Sequence, residues 1–567
     1  MDKYELSLFE KLSQERKELQ ANGDLPDWFT TMGWQMFRDK YLYQASTYEE
    51  QIDRVVNVMS KHCSDKTEYF KYRWKELLMR NHAYLATPVL ANAGTTRGNI
   101  VSCQGSYVPD SIDGFYSTLH EQALLTKYGF GVSAYFGAIS ERGVDLDEGM
   151  KASGTLPVFK QFVQMSKEVS QGSRRGAFAG YLPLEHGDFW EVVNYLKNNP
   201  DSMNVGWNIY DTTIEKLENG SKDLNERFAK SLHTKLLQGK GYYYFPDKVG
   251  RAAPQMYKDL GLSSKASNLC TEITLHSDEQ HTYSCVLSGM VATTWEEWKD
   301  TDAVFCMTVF LDCMVSEFLS LVKGKKGLEK IIRGTEKGRA IGLGLTGLHS
   351  LFQMKRLPFG SLEAHWLNDD IFKHLHDESL KASEWMATKW GEPEWCEGYG
   401  VRNTHRTALA PNVSSALIFG SQSQGITPWY GNCFNEESAA GGMFRVNPVF
   451  IGMLKDKGKY SDKVLRHVHS SAGSAQDLDF LTDEEKDVML TAFEINQRDL
   501  LRLAGARQKY ICQSQSLNLF FAEDEQEEYI AEIHKEAFLD ESIHSLYYLR
   551  GKAGVEASKG ECTACQS

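Results

Sequence analysis

Residues 268–272 read Asn268-Leu269-Cys270-Thr271-Glu272, which sets an amide, a thiol and a carboxylate at alternate positions. In an extended segment, side chains at i, i+2 and i+4 leave the backbone on one side. Asn268, Cys270 and Glu272 then face one wall, with Leu269 and Thr271 turned away. An amide, a sulfur and a potential general base on one wall suit covalent or proton-transfer chemistry on a polar substrate. The competing reading is a buried core cysteine between two polar surface residues, since free Cys is often simply core.

Other residues carry comparable pairs of readings. Cys103 follows Ser102 soon after Thr87-Pro88, and Cys285 sits in Tyr283-Ser284-Cys285. Each alone also fits a core position. Cys562-Thr563-Ala564-Cys565 fits half of a zinc site, an inert pair or a redox-active dithiol. A tetrahedral structural zinc needs four ligands, and the sequence has no second Cys-x-x-Cys. A dithiol in a flexible segment could exchange with a buried disulfide and then meet an external reductase. Pro411-Asn412-Val413-Ser414-Ser415 looks like a loop entering a helix. Such a helix start either binds phosphate through its unpaired amides or is an ordinary cap. Gly129-Phe130-Gly131 resembles part of a dinucleotide fingerprint, without the third glycine at the required spacing. His467-Val468-His469 reads as polar surface. Tyr547-Tyr548 is an adjacent pair, but Tyr242-Tyr243-Tyr244 shows that adjacency alone says little.

The elements that must position these groups follow from composition and pattern. The 567 residues are 42% hydrophobic and 12% aromatic, as expected of a folded enzyme with a large core. A net charge of −14 argues against nucleic-acid or anionic-membrane binding over a broad face. The sequence shows no apolar run of 18 residues and no apolar signal core, so no transmembrane helix and a cytoplasmic location are expected. Eleven scattered cysteines do not make a secreted disulfide scaffold.

Residues 1–85 read as a helical region, with turns at Asn22-Gly23-Asp24 and Ser64-Asp65. From there to Tyr548, short apolar stretches alternate with Gly, Ser and Asn clusters and longer helical patterns. Examples are 87–94, 129–137 and 338–352, and the alternation suggests one α/β domain over 86–548. Residues 549–567 are small and polar and read as a flexible tail.

Taken in order, these segments resemble the large catalytic subunit of class I ribonucleotide reductase. The resemblance runs from about residue 80 to the end of the sequence. It rests on Ala86-Thr87-Pro88, Ser102-Cys103, Asp110-Ser111-Ile112-Asp113, Gly129-Phe130-Gly131, the Asn268–Glu272 motif and Cys285-Val286-Leu287-Ser288. It continues through Arg339–Gly344, Gly347-Leu348, Pro411–Ser415, Leu546-Tyr547-Tyr548 and the Cys562/Cys565 pair.

The resemblance implies a ten-stranded α/β barrel whose central finger loop carries Cys270. It implies reduction of ribonucleoside diphosphates at the ribose 2′ carbon. Cys270 would become a thiyl radical that abstracts the 3′ hydrogen. Glu272 would act as base on the 3′ hydroxyl, and Asn268 would hold the sugar hydroxyls. Cys103 and Cys285 would supply two electrons and finish as a disulfide. Cys562 and Cys565 would reduce that disulfide and pass it to thioredoxin or glutaredoxin.

Thr87, Ser102, Gly129, Leu269, Thr271 and the loop Pro411, Asn412, Val413, Ser414 and Ser415 would line the substrate site. Asn412, Val413 and Ala416 depart from the family's more hydroxylic, acidic or small residues there. Tyr547 and Tyr548 would relay a radical generated on a separate metal-containing small subunit, so no metal or other cofactor is expected on this chain. A class II enzyme, which uses adenosylcobalamin, and a non-catalytic nucleotide-binding homologue are the alternatives. Asp110, Ser111 and Ile112 match the segment that contacts nucleoside triphosphate specificity effectors. Ser173–Gly180 matches the loop that connects effector to substrate, and effectors of that family bind across a homodimer. Residues 1–85 are expected to lack an ATP-cone.

Overall fold

The computed structural model describes residues 3–146, 149–169, 176–200, 202–438 and 441–551. The N-terminal region is helical, as its pattern requires, with helices Lys3–Asn22, Thr31–Met36, Tyr48–Ser60 and Thr67–Met79. Thr47 caps the third of these by accepting the Glu50 N–H at 3.2 Å. Trp74 packs edge-on against Phe310 at 5.3 Å and donates its indole N–H to the Cys306 carbonyl. These contacts seat the helical region on helix Ala303–Val322. That helix has 20 residues and a mean hydropathy of 1.8, enough by length and composition to cross a membrane, but most of it is buried inside the protein.

The strands divide into two halves. β2 (Cys103–Tyr107), β3 (Gly131–Tyr135), β4 (Phe178–Pro183), β5 (Asn204–Asn208) and β6 (Tyr242–Tyr244) run parallel and in sequence order. β7 (Tyr283–Val291) is antiparallel to β2 and parallel to β8 (Ile341–Thr346). Leu343 of β8 bridges Thr407, and Leu409 bridges Gln515, both in parallel. Leu517 then accepts the Tyr547 N–H at 2.8 Å. β9 (Cys433–Ser438) and β10 (Gly441–Val446) pair antiparallel as a separate two-stranded sheet, and β12 (Ser545–Leu546) returns antiparallel to β6. The ring therefore closes through ten extended segments: β2 to β6, then those around 546, 517, 408, and finally β8 and β7. This is the α/β barrel expected from the sequence.

Glycine opens the interior where a ring must enter it. A Cβ on Gly105 would lie 2.2 Å from the Tyr283 ring, and one on Gly206 would lie 2.2 Å from Tyr181. Through this space runs the segment 266–277, every residue of which is buried. It is the expected finger loop, and it joins the two halves by entering β7.

Three local expectations change. β1 (Ala83–Leu85) pairs with β7, so the sheet starts inside the region assigned to helices. Residues 87–92 form a short helix with Pro88 in its first turn, where the missing N–H costs nothing. β13 (Leu549–Gly551) pairs in parallel with β11 (Leu519–Phe521), so 549–551 belong to a separate two-stranded sheet and not to a tail.

Candidate active site

The Asn268–Glu272 motif sits at the tip of the finger loop, and it is a turn rather than an extended segment. Thr271 adopts φ +69°, and its N–H reaches the Asn268 carbonyl at 3.3 Å. The left-handed residue breaks the alternation on which the extended reading rested. The turn still gathers the three groups. Tyr547 donates its hydroxyl to the Cys270 sulfur at 3.4 Å. The Glu272 Oε1 lies 3.9 Å from the Cys103 sulfur. Asn268 Oδ1 accepts the Ile273 N–H at 3.2 Å, which fixes the amide.

Burial decides the electrostatics of Glu272. Desolvation pushes its carboxyl up to about 7, against weaker opposing help from its own backbone, Asn268, Ser516 and Cys103. A carboxyl poised near neutrality suits a general base. The Asn268 Nδ2 helps hold that carboxylate charged, yet it closes no protein hydrogen bond of ordinary geometry. Thr87 Oγ1 is likewise buried without a partner. Orphan polar atoms in a cleft mark where a substrate's own polar groups would sit.

Cys103 and Cys285 are directly opposed across antiparallel β2 and β7. Such pairs hold their Cα atoms about 4.5–5.5 Å apart, inside the span a disulfide bridges. Both thiols are free and buried here. Burial pushes the Cys285 thiol well up, while the Gln513 amide at 3.6 Å partly opposes that.

A cleft opens onto this group. Ala86, Thr87, Ser102, Cys103, Glu272, Leu287, Ala410 and Pro411–Ser415 line it. Helix Val413–Ile418 starts there, and its first ladder bond runs from the Ala416 N–H to the Asn412 carbonyl. The amides of 413–415 therefore precede the helical ladder. Asn412 spends its Nδ2 on the Tyr84 hydroxyl at 2.8 Å and the Leu345 carbonyl at 3.1 Å, and Ser415 donates to the Leu85 carbonyl. An anion at this loop would thus meet backbone N–H groups more than these two side chains.

Three expected cleft residues lie elsewhere. Gly129 ends helix Ile112–Tyr128 at φ +110°, a conformation that favours glycine. Leu269 packs with the tyrosines behind Cys270. Thr271 Oγ1 lies 3.2 Å from the Ser545 hydroxyl. They are set apart by the turn at the loop tip and by the helix end.

The tyrosines form a buried stack of rings that are tilted or edge-on, at 43° to 79° to one another. The rings of Tyr547 and Tyr548 lie 3.9 Å apart, and Tyr242 packs on both at 4.9 and 5.7 Å. Arg550 covers the outer face of Tyr548 at 4.6 Å. Tyr242, read from the sequence as a coincidence of adjacency, is part of this stack. At the end of β2, Ser111 caps helix Ile112–Tyr128 by accepting the Gly114 N–H, and Asp110 accepts the Ser140 N–H at 3.0 Å. Ile112 is 69% exposed, so this segment is open to a ligand or a second copy. Residues 173–175 of the effector loop, Cys562 and Cys565 lie outside the described residues.

Some site residues were not singled out in the sequence. Ser516 contacts both the Cys270 carbonyl at 2.6 Å and Glu272 Oε2 at 3.1 Å. Gln513 touches Cys285 and the finger loop. Their signal is a polar run, Gln513-Ser514-Gln515-Ser516, inside a segment that is fully buried. Lys235 is buried and donates to the Tyr547 carbonyl at 2.6 Å. His276, Asp278 and His281 also converge. Asp278 there accepts the Gln280 and His281 N–H groups and both imidazoles, which makes a hydrogen-bonded turn leading into β7.

The comparisons agree with this geometry. The family model for the ribonucleotide reductase barrel domain matches residues 101–225, 208–398 and 392–549. The model for the all-alpha domain of ribonucleotide reductase matches residues 27–98. A Frog virus 3 protein named "Putative ribonucleoside-diphosphate reductase large subunit" is 32% identical over 515 residues, covering 85% of this chain and 90% of its own. The ribonucleoside-diphosphate reductase large subunit of Invertebrate iridescent virus 3 is 25% identical, covering 95% of this chain and 98% of its own. The Actinobacillus ureae class Id ribonucleotide reductase alpha subunit superposes with a TM-score of 0.85 at 33% identity, covering 93% of this chain and 97% of that one. With the barrel and all-alpha domains both matched, the chain belongs to the large subunits of ribonucleotide reductase.

Proposed function

We propose that this chain reduces ribonucleoside diphosphates to 2′-deoxyribonucleoside diphosphates, with Cys270 as the radical carrier. The observation that carries the reading is the buried Cys270 thiol 3.4 Å from the Tyr547 hydroxyl, at the head of a tyrosine stack. A tyrosyl oxygen at that distance can take the hydrogen atom of the thiol, leaving a thiyl radical enclosed in protein. Enclosure protects such a species from solvent and side reactions.

The remaining roles follow from position. The thiyl removes the 3′ hydrogen, and Glu272 takes the 3′ hydroxyl proton. The Asn268 Nδ2 and Thr87 Oγ1 meet the substrate's polar groups, and the amides at 413–415 meet its phosphates. The 2′ hydroxyl leaves as water. Cys103 and Cys285 together give up two electrons and two protons and become a disulfide, and Cys270 returns the hydrogen to the 3′ carbon, which restores the thiyl radical. One ribose C–O bond is thereby exchanged for a C–H bond, balanced by one S–S bond.

The stack also implies a partner. Tyr548 continues the path away from Cys270, which suits a radical delivered by a separate metal-containing small subunit. We infer that a thioredoxin- or glutaredoxin-like dithiol resets the disulfide through Cys562 and Cys565. Nucleoside triphosphates would bind at Asp110–Ile112 across a homodimer, and the location is cytoplasmic.

The test is CDP reduction by the purified chain with metal-loaded small subunits and a dithiol. Turnover is expected with a small subunit and not with adenosylcobalamin. Turnover with adenosylcobalamin alone would overturn the small-subunit reading.

A further inference from the structure

The Gln513 side chain is buried and joins three separate parts of the barrel. Its Oε1 accepts the Thr274 N–H of the finger loop at 3.3 Å. This fixes which end of the amide is which, because only an oxygen can accept there. Its Nε2 donates to the Ile341 carbonyl of β8 at 3.1 Å and to the Cys285 sulfur at 3.6 Å. Both amide hydrogens are thus committed, one of them to a sulfur.

The two redox sulfurs are not equally open. Cys103 lines the cleft, whereas Cys285 is not among its walls. An external thiolate entering by the cleft therefore meets the Cys103 sulfur of a Cys103–Cys285 disulfide. Thiol–disulfide exchange then expels the other sulfur, and its rate depends on how well that leaving thiolate is stabilised. Cys285 faces Cys103 and Glu272, both of which oppose its ionisation. The group that favours the charged sulfur is the Gln513 amide.

We propose that Gln513 is a further catalytic residue, whose N–H holds Cys285 as the leaving thiolate each time the disulfide is reduced. The proposal rests on the reading of Cys103 and Cys285 as the redox pair. In the first step a dithiol reductant, ionised at one sulfur, attacks Cys103. A new S–S bond forms to Cys103, the Cys103–Cys285 bond breaks, and its electron pair stays on Cys285. Cys285 takes up the proton the reductant released. The reductant's second thiol then displaces Cys103 and leaves as the oxidised disulfide, so two electrons and two protons enter the protein.

Two measurements test this. First, the full-length protein is oxidised with diamide, treated with excess 2-mercaptoethanol, quenched with N-ethylmaleimide and mapped by mass spectrometry. The expected adduct is mercaptoethanol on Cys103 with maleimide on Cys285. The reverse pattern overturns the proposal and leaves the redox pair standing. Failure of Cys103 and Cys285 to form a disulfide at all removes the redox-pair reading and this proposal with it. Second, the rate of disulfide reduction by dithiothreitol is compared for wild type, Gln513→Leu and Gln513→Glu. Both variants are expected to slow it about tenfold, the worth of one hydrogen bond to a charged group. Gln513→Glu keeps the shape and the acceptor for Thr274 but loses the N–H groups that face Cys285 and Ile341, so an amide with no role in the exchange step predicts a wild-type rate for it. That rate would overturn the proposal.

Discussion

The burial that tunes Glu272 should also cost the protein stability, and Glu272→Gln isolates that cost. The folded carboxyl titrates near 7, against 4.5 for an ordinary glutamate. The folded state therefore binds the proton more tightly than the unfolded state does. Below pH 4.5 both states are protonated, and the burial of Glu272 carries no ionic penalty. As pH rises from 4.5 through 7, the unfolded chain sheds the proton first and the folded state loses relative stability. Above 7 both are charged and the penalty is complete, at about 3 kcal/mol for that interval. The amide introduced by Glu272→Gln cannot ionise, so the variant lacks this slope while keeping nearly the same volume. The measurement is the thermal midpoint of both proteins across pH 4.5–8.5, read as their difference. For a chain of this length melting as one unit, the difference should move by about 3 °C in favour of the variant as pH rises. Two parallel curves, or a difference that grows toward acid pH, would refute the argument.

Three further outcomes follow from the same geometry. kcat/KM for CDP reduction should rise with pH through an apparent value near 7, because only the ionised Glu272 is a base; a flat profile from pH 6 to 8.5 would contradict the role. Tyr547→Phe removes the hydroxyl that faces Cys270 and should lower turnover by at least about a thousandfold, since the oxygen that takes the thiol hydrogen is gone. CDP binding by calorimetry should stay within about twofold, and a matching loss of binding would point to a collapsed site instead. Cys562→Ser with Cys565→Ser should abolish thioredoxin-driven turnover and leave part of the dithiothreitol-driven rate; equal loss with both reductants would remove the shuttle.

The chemistry was more legible in the sequence than the geometry that delivers it. Asn268, Cys270 and Glu272 fit a buried core cysteine when read alone, and become recognisable because the other cysteines, the tyrosine pair and the Pro411–Ser415 loop follow in family order. Their convergence was reached by the wrong local route. The sequence pattern suggested a strand, whereas Thr271 at φ +69° makes a turn that only the surrounding barrel over-determines. Gly129, placed in the substrate site by the family resemblance, terminates a helix in the structure, a role its Gly-x-Gly context did not signal. Gln513 and Ser516 were not legible because they lie more than 200 residues from Cys285 and Cys270. Their meaning appears only when the last strands close the ring. Tyr242 escaped notice likewise, since its partners Tyr547 and Tyr548 arrive across the β6–β12 pairing.

The two kinds of sulfur in this site have opposite mechanical needs, and the fold supports them differently. A radical-bearing thiol must not drift, because a hydrogen atom moves only over short distances. Cys270 sits on a loop, normally the least fixed kind of backbone, yet its carbonyls are held one by one. Tyr181 donates to the Asn268 carbonyl at 2.7 Å, Ser516 to that of Cys270 at 2.6 Å, Ser545 to that of Thr271 at 3.1 Å, and the Ser514 N–H to that of Glu272 at 2.9 Å. These donors come from β4, the segment after 513 and β12, so several parts of the ring grip the loop at once. For the carbonyls of Cys270, Thr271 and Glu272 these bonds supply a partner to a buried acceptor, which left unpaired would cost about 1–3 kcal/mol. The redox pair must instead change its sulfur–sulfur distance in every cycle without moving the backbone. Opposed positions on neighbouring strands meet that need, because rotation about the side-chain bonds of Cys103 and Cys285 can open or close the disulfide. A pinned loop for the radical and paired strands for the disulfide are therefore separate solutions, and Glu272, touching both Ser516 and Cys103, is the side chain that links them.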